Sequence, residues 1–453
     1  MSKAMTSGNP LRLMLTFAFP LLLGNLFQQT YNMMDAAIVG RILGADALAA
    51  VGATSSVQFL VLGFCIGICA GFAVPIAQRY GAQDYEGMRQ YEYNAILWAA
   101  GITAAMTIAT VFLCSPILRM LQVPEGIFHE AYGYLIVIFI GIPFTILYNF
   151  LSSILRSIGD SRTPFLFLAM SAVLNIALDF FCILVLHWGV RGAAIATIVS
   201  QAVSGILCLL LIQKKFEMLH IRKADQIFSW EKSSRLMKMG IPMGLNWSIT
   251  AIGSMVMQAA NNGLGTVYVS GFTAGMKIKQ FMMCPYDALA TAVSTFAAQN
   301  YGAGEPERIR KGIVQGAAAG VVYGIFAGFI MITFGRNLAS LFVTSDATDV
   351  LDAAYLYLFR MGLFWWTLAI LNVGRVSTQG LGFASRAMFA GAIEMIGRII
   401  VSVFFVPTFG YSAITWADQT AWTLGTIYVL IVCVTTVKEV TERLEREKPA
   451  VSA

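Results

Sequence analysis

Apolar runs long enough to cross a lipid bilayer recur along the whole 453-residue chain. A membrane span needs about 20 predominantly apolar residues. Twelve such runs can be read: Leu11–Gly40, Ala47–Arg79, Tyr93–Cys114, Ala131–Leu155, Thr163–Leu186, Gly192–Ile212, Leu236–Asn261, Val267–Asn300, Ile313–Phe334, Leu351–Val376, Met388–Val406 and Ser412–Val437. Hydrocarbon offers the backbone no water, so a span must satisfy its own peptide groups as a helix or within a closed barrel. Continuous runs rich in Leu, Ala and Gly fit helices, whereas barrel strands would be short and alternating. The expectation is an all-α polytopic membrane protein with twelve transmembrane helices. Composition agrees, with 58% hydrophobic and 12% charged residues against about 25% charged in soluble domains. The second and eighth runs exceed what a bilayer needs, so those helices should tilt or protrude.

The chain also repeats itself. "QRYGAQDYEGMR" at Gln78–Arg89 returns as "QNYGAGEPERIR" at Gln299–Arg310, with Gln78, Tyr80, Gly81, Ala82 and Arg89 all recurring at an offset of 221 residues. Pro20 has a counterpart in Pro242, at an offset of 222. Two copies of one unit are implied. The longest polar connection, Gln213–Ser233, carries Lys214, Lys215, Arg222, Lys223 and Lys232. It divides the chain into an N-lobe at 1–212, a linker at 213–233, a C-lobe at 234–437 and a tail at 438–453. Six spans return the chain to its starting side, so the two pseudo-symmetric six-helix lobes should be related by an axis along the membrane normal. Lys and Arg gather on the side of the termini (Lys3, Arg12, Arg79, Arg89, the linker set, Arg308, Arg310, Lys448), while the other side holds Arg41, Arg119, Arg191 and Arg336. By the positive-inside bias both termini and the linker are cytoplasmic. In this reading each Gln-x-Tyr-Gly-Ala phrase ends a long helix on the cytoplasmic face.

Several function classes fall away. The net charge of +6 is modest and unclustered, so nucleic acid is not a partner. The seven cysteines lie in apolar runs; Cys65 and Cys69 are four apart with no histidine near, a packing spacing rather than a metal site. No HExxH, GxSxG or P-loop is present, which leaves no basis for an enzyme or a cofactor.

Polar residues inside spans carry the functional signal, because each is costly there. Asp35 in "QQTYNMMDAAIVG" shares a helix face with Gln28 and Tyr31. Asp179 in "SAVLNIALDFFCIL" has Asn175 one turn before it. A carboxylate and an amide on one face supply hard oxygen ligands that suit Na+ or a proton, not a soft metal. The bland readings are an acid snorkelling to the interface at Asp35 and a structural hydrogen-bonded acid at Asp179. In the second half, Lys277 and Lys279 point to different faces, Asp287 follows Pro285, Glu394 and Arg398 have ion-pair spacing, and Asp418 stands at the repeat position of Thr197. Met33, Met34, Met255 and Met257 would suit an adaptable apolar cavity or plain packing.

Taken together, the twelve spans, the doubled Gln-x-Tyr-Gly-Ala phrase, the paired prolines, "VGRILGADALAAVG" after the first span and "RSIGDSRTPF" before the fifth resemble the MATE (multidrug and toxic compound extrusion) family, in its DinF-like or bacterial multidrug-type branch. That resemblance implies a multi-pass protein of the bacterial cytoplasmic membrane that is a monomer among its lipids. It implies an antiporter that exports amphipathic, often cationic organic compounds against H+ or Na+ by alternating access. It places the coupling ion, including any bound Na+, at Asp35, Asn175, Asp179 and Thr197, and lines the same cavity with Gln28, Tyr31, Tyr134 and Asn149. The C-lobe acids Asp287, Glu394 and Asp418 carry no clear ion-site pattern of the family. Two rival readings are a lipid-linked precursor flippase of the wider superfamily, disfavoured by twelve rather than fourteen spans and few intramembrane cations, and a membrane sensor without net transport, disfavoured by paired acids on separate helices.

Overall fold

The computed structural model describes residues 4–343 and 347–447; Lys3, Lys448 and the end of the expected tail fall outside them. Every regular element among the described residues is helical. In chain order these are α1 (Pro10–Ile38), α2 (Ala45–Gly81), α3 (Tyr85–Met120), α4 (Glu125–Ile140), α5 (Ile142–Ser157), α6 (Arg162–Phe180), α7 (Gly189–Lys215), α8 (Trp230–Asn262), α9 (Thr266–Gly302), α10 (Pro306–Ala339), α11 (Thr348–Gly380), α12 (Ala384–Ile400), the single turn α13 (Val406–Phe409) and α14 (Tyr411–Glu447). Nine of the described helices are long and apolar enough to cross a bilayer, and α4 with α5 forms a tenth, bent span. The other two spans expected from the sequence fall on α8 and α9, of 33 and 37 residues, whose interiors hold more polar and charged side chains.

The fourth span departs from the single helix expected over Ala131–Leu155: α4 and α5 meet at an angle of 46°. Pro143 lies in the first turn of α5 and cannot donate to the preceding turn. Gly141 occupies the break, and a Cβ there would lie 2.0 Å from Ile198 Cδ1 of α7. The third span also runs well past the expected Tyr93–Cys114. Asp84 caps α3 by accepting from the Gly87 N–H at 2.8 Å, so the polar stretch Tyr85–Glu92 is helical too. The long second and eighth spans are found as α2 and α9, each of 37 residues.

The repeat is visible in the backbone. Left-handed residues recur at an offset of 221 residues: Gly44 and Gly265 before α2 and α9, Gln83 and Gly304 after them, Gly189 at the start of α7 and Gly410 just before α14. Such a conformation favours glycine, and five of the six positions have it. A π-helical turn at Phe181–Val185 extends α6, and one at Val401–Phe405 extends α12, an offset of 220.

The chain forms two compact units whose division falls inside α1 and α8. The first contains Leu23–Gly244, so it includes the start of α8. Within it Gly67 and Gly71 of α2 bring the α8 backbone close: a Cβ on Gly67 would lie 2.6 Å from Met243 O, and one on Gly71 2.6 Å from Gly240 Cα. The linker is tied to α3 in the same unit. Arg89 Nε donates to Asp225 Oδ2 at 2.6 Å, Arg222 N donates to the same carboxylate at 3.0 Å, and Asn94 Oδ1 accepts from Ser229 N at 3.0 Å and Ser233 Oγ at 3.1 Å. The hydrogen bond from Arg89 chiefly holds the Asp225 carboxyl below the ordinary carboxylate range.

The second unit contains Met5–Leu22 and the chain from Leu245 onward. Its core joins Met14, Phe17 and Leu21 of α1 to Val293 and Phe296 of α9 and to Trp365 and Leu368 of α11. Arg308 fastens the segment before α1 by donating to Met5 O at 3.0 Å and Gly8 O at 2.8 Å. Small residues again permit close approach, with Gly328 of α10 facing the Gly362 carbonyl of α11.

Candidate ion-binding site

The first unit holds a pair of carboxyl groups contributed by separate helices. Asp35, near the end of α1, and Asp179, near the end of α6, lie close enough to interact electrostatically. Asp179 is fully buried. Neither of its oxygens has a hydrogen-bond donor, and the buried Asp35 Oδ1 has none. Two carboxylates placed so need a shared proton or a bound cation, because their repulsion and desolvation are otherwise uncompensated. The π-helical turns at Val39–Leu43 and Phe181–Val185 begin within a few residues of the two acids, where the regular i→i−4 ladder is interrupted.

Asn175 lies one turn before Asp179 and is buried. Its Nδ2 donates to Thr197 Oγ1 of α7 at 3.3 Å, while Thr197 Oγ1 donates to Ala193 O at 3.1 Å. The threonine hydroxyl is therefore engaged on both sides and holds the amide, and Asn175 Oδ1 is left buried without a donor. Carboxylate and amide oxygens without donors, from Asp35, Asp179 and Asn175, share this part of the unit. That donor set suits a hard monovalent ion or a proton. Among the described residues no three His, Cys, Asp or Glu side chains converge as a multidentate metal centre would require.

Of the residues expected to line the cavity, Tyr31 and Tyr134 lie within electrostatic reach of both acids, and Gln28 stands near Tyr31. Asn149 is engaged elsewhere: its Nδ2 donates to Thr145 O of its own helix at 2.8 Å. Sequence reasoning missed Gln58, which stands near Tyr134 and donates to Thr54 Oγ1 at 2.8 Å. Its signal was available, since a glutamine inside the second apolar run is as costly as the residues singled out.

The second unit is built differently. The expected Glu394–Arg398 pair is present at 3.7 Å but is the weaker part of a larger cluster. Glu394 is held at 3.0 Å by Arg375 of α11. Arg398 Nε donates to Asp418 Oδ1 at 2.9 Å. The other oxygen of Asp418 accepts from Lys279 Nζ at 2.6 Å and Tyr357 OH at 2.7 Å. Asp418 thus has both oxygens occupied by the protein's own donors, unlike Asp179. Lys279 also lies over the Trp422 ring at 5.1 Å from its centroid. Asp287, by contrast, is exposed.

A chain whose regular elements are all helices, most of them long and apolar enough to cross a bilayer, belongs to the class of polytopic helical membrane proteins. The MatE family model matches residues 20–181 and again 242–404, and the chain belongs to that family. It is a transporter and not an enzyme. It is 33% identical over 352 residues to the probable multidrug resistance protein YpnP of Bacillus subtilis strain 168, covering 78% of each chain. It is 22% identical over 423 residues to the multidrug export protein MepA of Staphylococcus aureus strain NCTC 8325 / PS 47, covering 92% of each. Its fold is that of a MATE crystal structure in complex with MaL6, with a TM-score of 0.88, 21% identity and 98% of each chain covered. The twelve-helix fold expected from the apolar runs is therefore the fold found.

Proposed function

We propose that this protein exports amphipathic, often cationic organic compounds across the bacterial cytoplasmic membrane in exchange for H+ or Na+. Export of drugs is what the names of YpnP and MepA describe. The ion is held by Asp35 and Asp179 with Asn175 Oδ1 beside them, and Thr197 positions the amide. The observation that carries this reading is the buried Asp179 carboxyl, which has no donor on either oxygen and faces a second acid.

Binding of the cation removes net negative charge from the first unit, and α1 contains Pro20, where a helix can bend. Exchange in opposite directions follows if the ion and the exported compound favour different states of the cavity. An ion bound equally well in both would drive nothing. The protein works as a monomer by alternating access, with both termini and the linker in the cytoplasm. The test is dye efflux from proteoliposomes with a pH gradient and a sodium gradient imposed separately. Coupling requires that one gradient drives efflux, and failure of both would overturn the proposal.

A further inference from the structure

The buried cluster of the second unit carries a surplus positive charge. Asp418 and Glu394 are its acids, and Lys279, Arg398 and Arg375 are its bases, each with a side chain no more than 17% exposed. Two acids against three bases leave a net charge of +1. A further acid, Asp287, lies within electrostatic reach of Arg375 but is exposed and makes no ion pair among the described residues. An uncompensated charge inside a membrane span is costly.

One buried side chain of the cluster points to what compensates it. Arg398 is 3% exposed, yet its NH1 has no acceptor. A guanidinium nitrogen with free N–H groups and a lysine ammonium form the set that recognises a small oxyanion or halide. Within the repeat, Lys279 stands where the first half has Gln58 and Asp418 where it has Thr197, both at an offset of 221. The same framework that presents unpaired acids in one unit therefore presents an excess of cations in the other.

We propose that the Lys279–Arg398 cluster binds a monoanion, either the carboxylate of a transported organic compound or a free inorganic anion. The cluster would let the protein accept compounds that carry an acidic group beside their apolar or cationic parts. The proposal rests on residues of the second unit alone and does not depend on which ion the first unit takes.

The test is thermal unfolding of the purified protein in detergent. The N-methyl-D-glucamine salt of chloride or of benzoate is titrated at constant low sodium, with sucrose as the osmotic control. The expected result is a saturable rise in melting temperature: with benzoate if the site takes an organic carboxylate, with chloride if it takes a free anion. Lys279→Met removes the surplus charge and leaves each remaining acid with an arginine. It should fold and bind the anion at least 10-fold more weakly. Asp418→Asn raises the surplus and should bind at least 3-fold more tightly, a change of opposite sign that a purely structural ion network does not produce. The proposal is overturned if neither anion gives a saturable rise in the wild type. It is also overturned if Lys279→Met binds as tightly as the wild type or does not fold.

Discussion

Gln78 Oε1 accepts a hydrogen bond of 2.6 Å from the Arg235 guanidinium, and its repeat counterpart Gln299 Oε1 accepts one of 2.8 Å from the Met5 N–H. Arg235 lies in the first turns of α8, and Met5 lies just ahead of α1. In the first unit the glutamine of the doubled phrase therefore grips the beginning of α8, and in the second its counterpart grips the segment that leads into α1. This is a physical reason for the phrase to occur twice. Gln78→Ala should lower stability by about 1.5–3 kcal/mol, because its partner is charged, and Gln299→Ala by about 1 kcal/mol, the net value of one neutral hydrogen bond. A melting curve for each variant measures it, and two unchanged curves would remove that role.

The close approach of α2 and α8 sets a sharper test. An alanine at Gly71 would place its Cβ against the Gly240 backbone at 2.6 Å, and a backbone atom cannot rotate away. Gly71→Ala should cost about 1–3 kcal/mol through forced separation of the two helices. Gly101→Ala, with open space around its Cβ position, should be neutral or slightly stabilising. Melting temperatures of the two variants in one detergent distinguish them.

The linker should respond to acid. Asp225 is held below the ordinary carboxylate range by Arg89, so its ion pair stabilises the docked linker at every pH above about 4, the unfolded value. That contribution is lost as the pH falls below 4 and through the lower folded value. Pepsin cleavage within 213–233 should accelerate across that window. In Arg89→Ala, which removes about 1.5–3 kcal/mol of charge-assisted bonding, cleavage should already be fast at the upper end. A cleavage rate in the wild type that is flat from pH 5 to 2 would rule this out.

Orientation is open to chemical labelling. Ala224 is exposed in the linker, so Ala224→Cys on a cysteine-free background should resist an impermeant reagent in intact cells and react in inverted vesicles. The reverse pattern would place the linker, and with it both termini, outside.

Much of the architecture was legible in the sequence because membrane spans announce themselves by length and apolarity, and because Gln78 and Gln299 mark the repeat. Asp35 and Asp179 were legible as well, since a carboxylate amid apolar residues has few structural uses. What helical periodicity cannot show is which helices adjoin. Lys279 and Asp418 are 139 residues apart, and Arg375 reaches Glu394 from another helix, so the cluster in the second unit emerged only in three dimensions. The break between α4 and α5 was hidden for a different reason. A glycine and a proline in an apolar run are compatible with a continuous span, and it is the packing of Ile198 against Gly141 that marks the bend.

The role assigned to the amide can be separated from that of the acids. Asn175→Ala removes a buried oxygen beside Asp179 but leaves both carboxyl groups. It should weaken the apparent affinity for the coupling ion about 10-fold while preserving the maximal rate at high ion concentration. Thr197→Val, which releases the amide, should act in the same direction. Efflux rates across a range of ion concentrations give both quantities.

The central claim is that Asp35 and Asp179 together hold the ion that drives export. The most direct measurement is gradient-driven dye efflux in proteoliposomes containing an Asp35→Asn, Asp179→Asn double variant whose folding is verified by an unchanged elution profile and melting curve. The substitutions keep size and remove charge. Efflux driven by the pH or sodium gradient should fall to the level of empty liposomes, while dye still binds the variant. Efflux at the wild-type rate from the well-folded double variant would contradict the account.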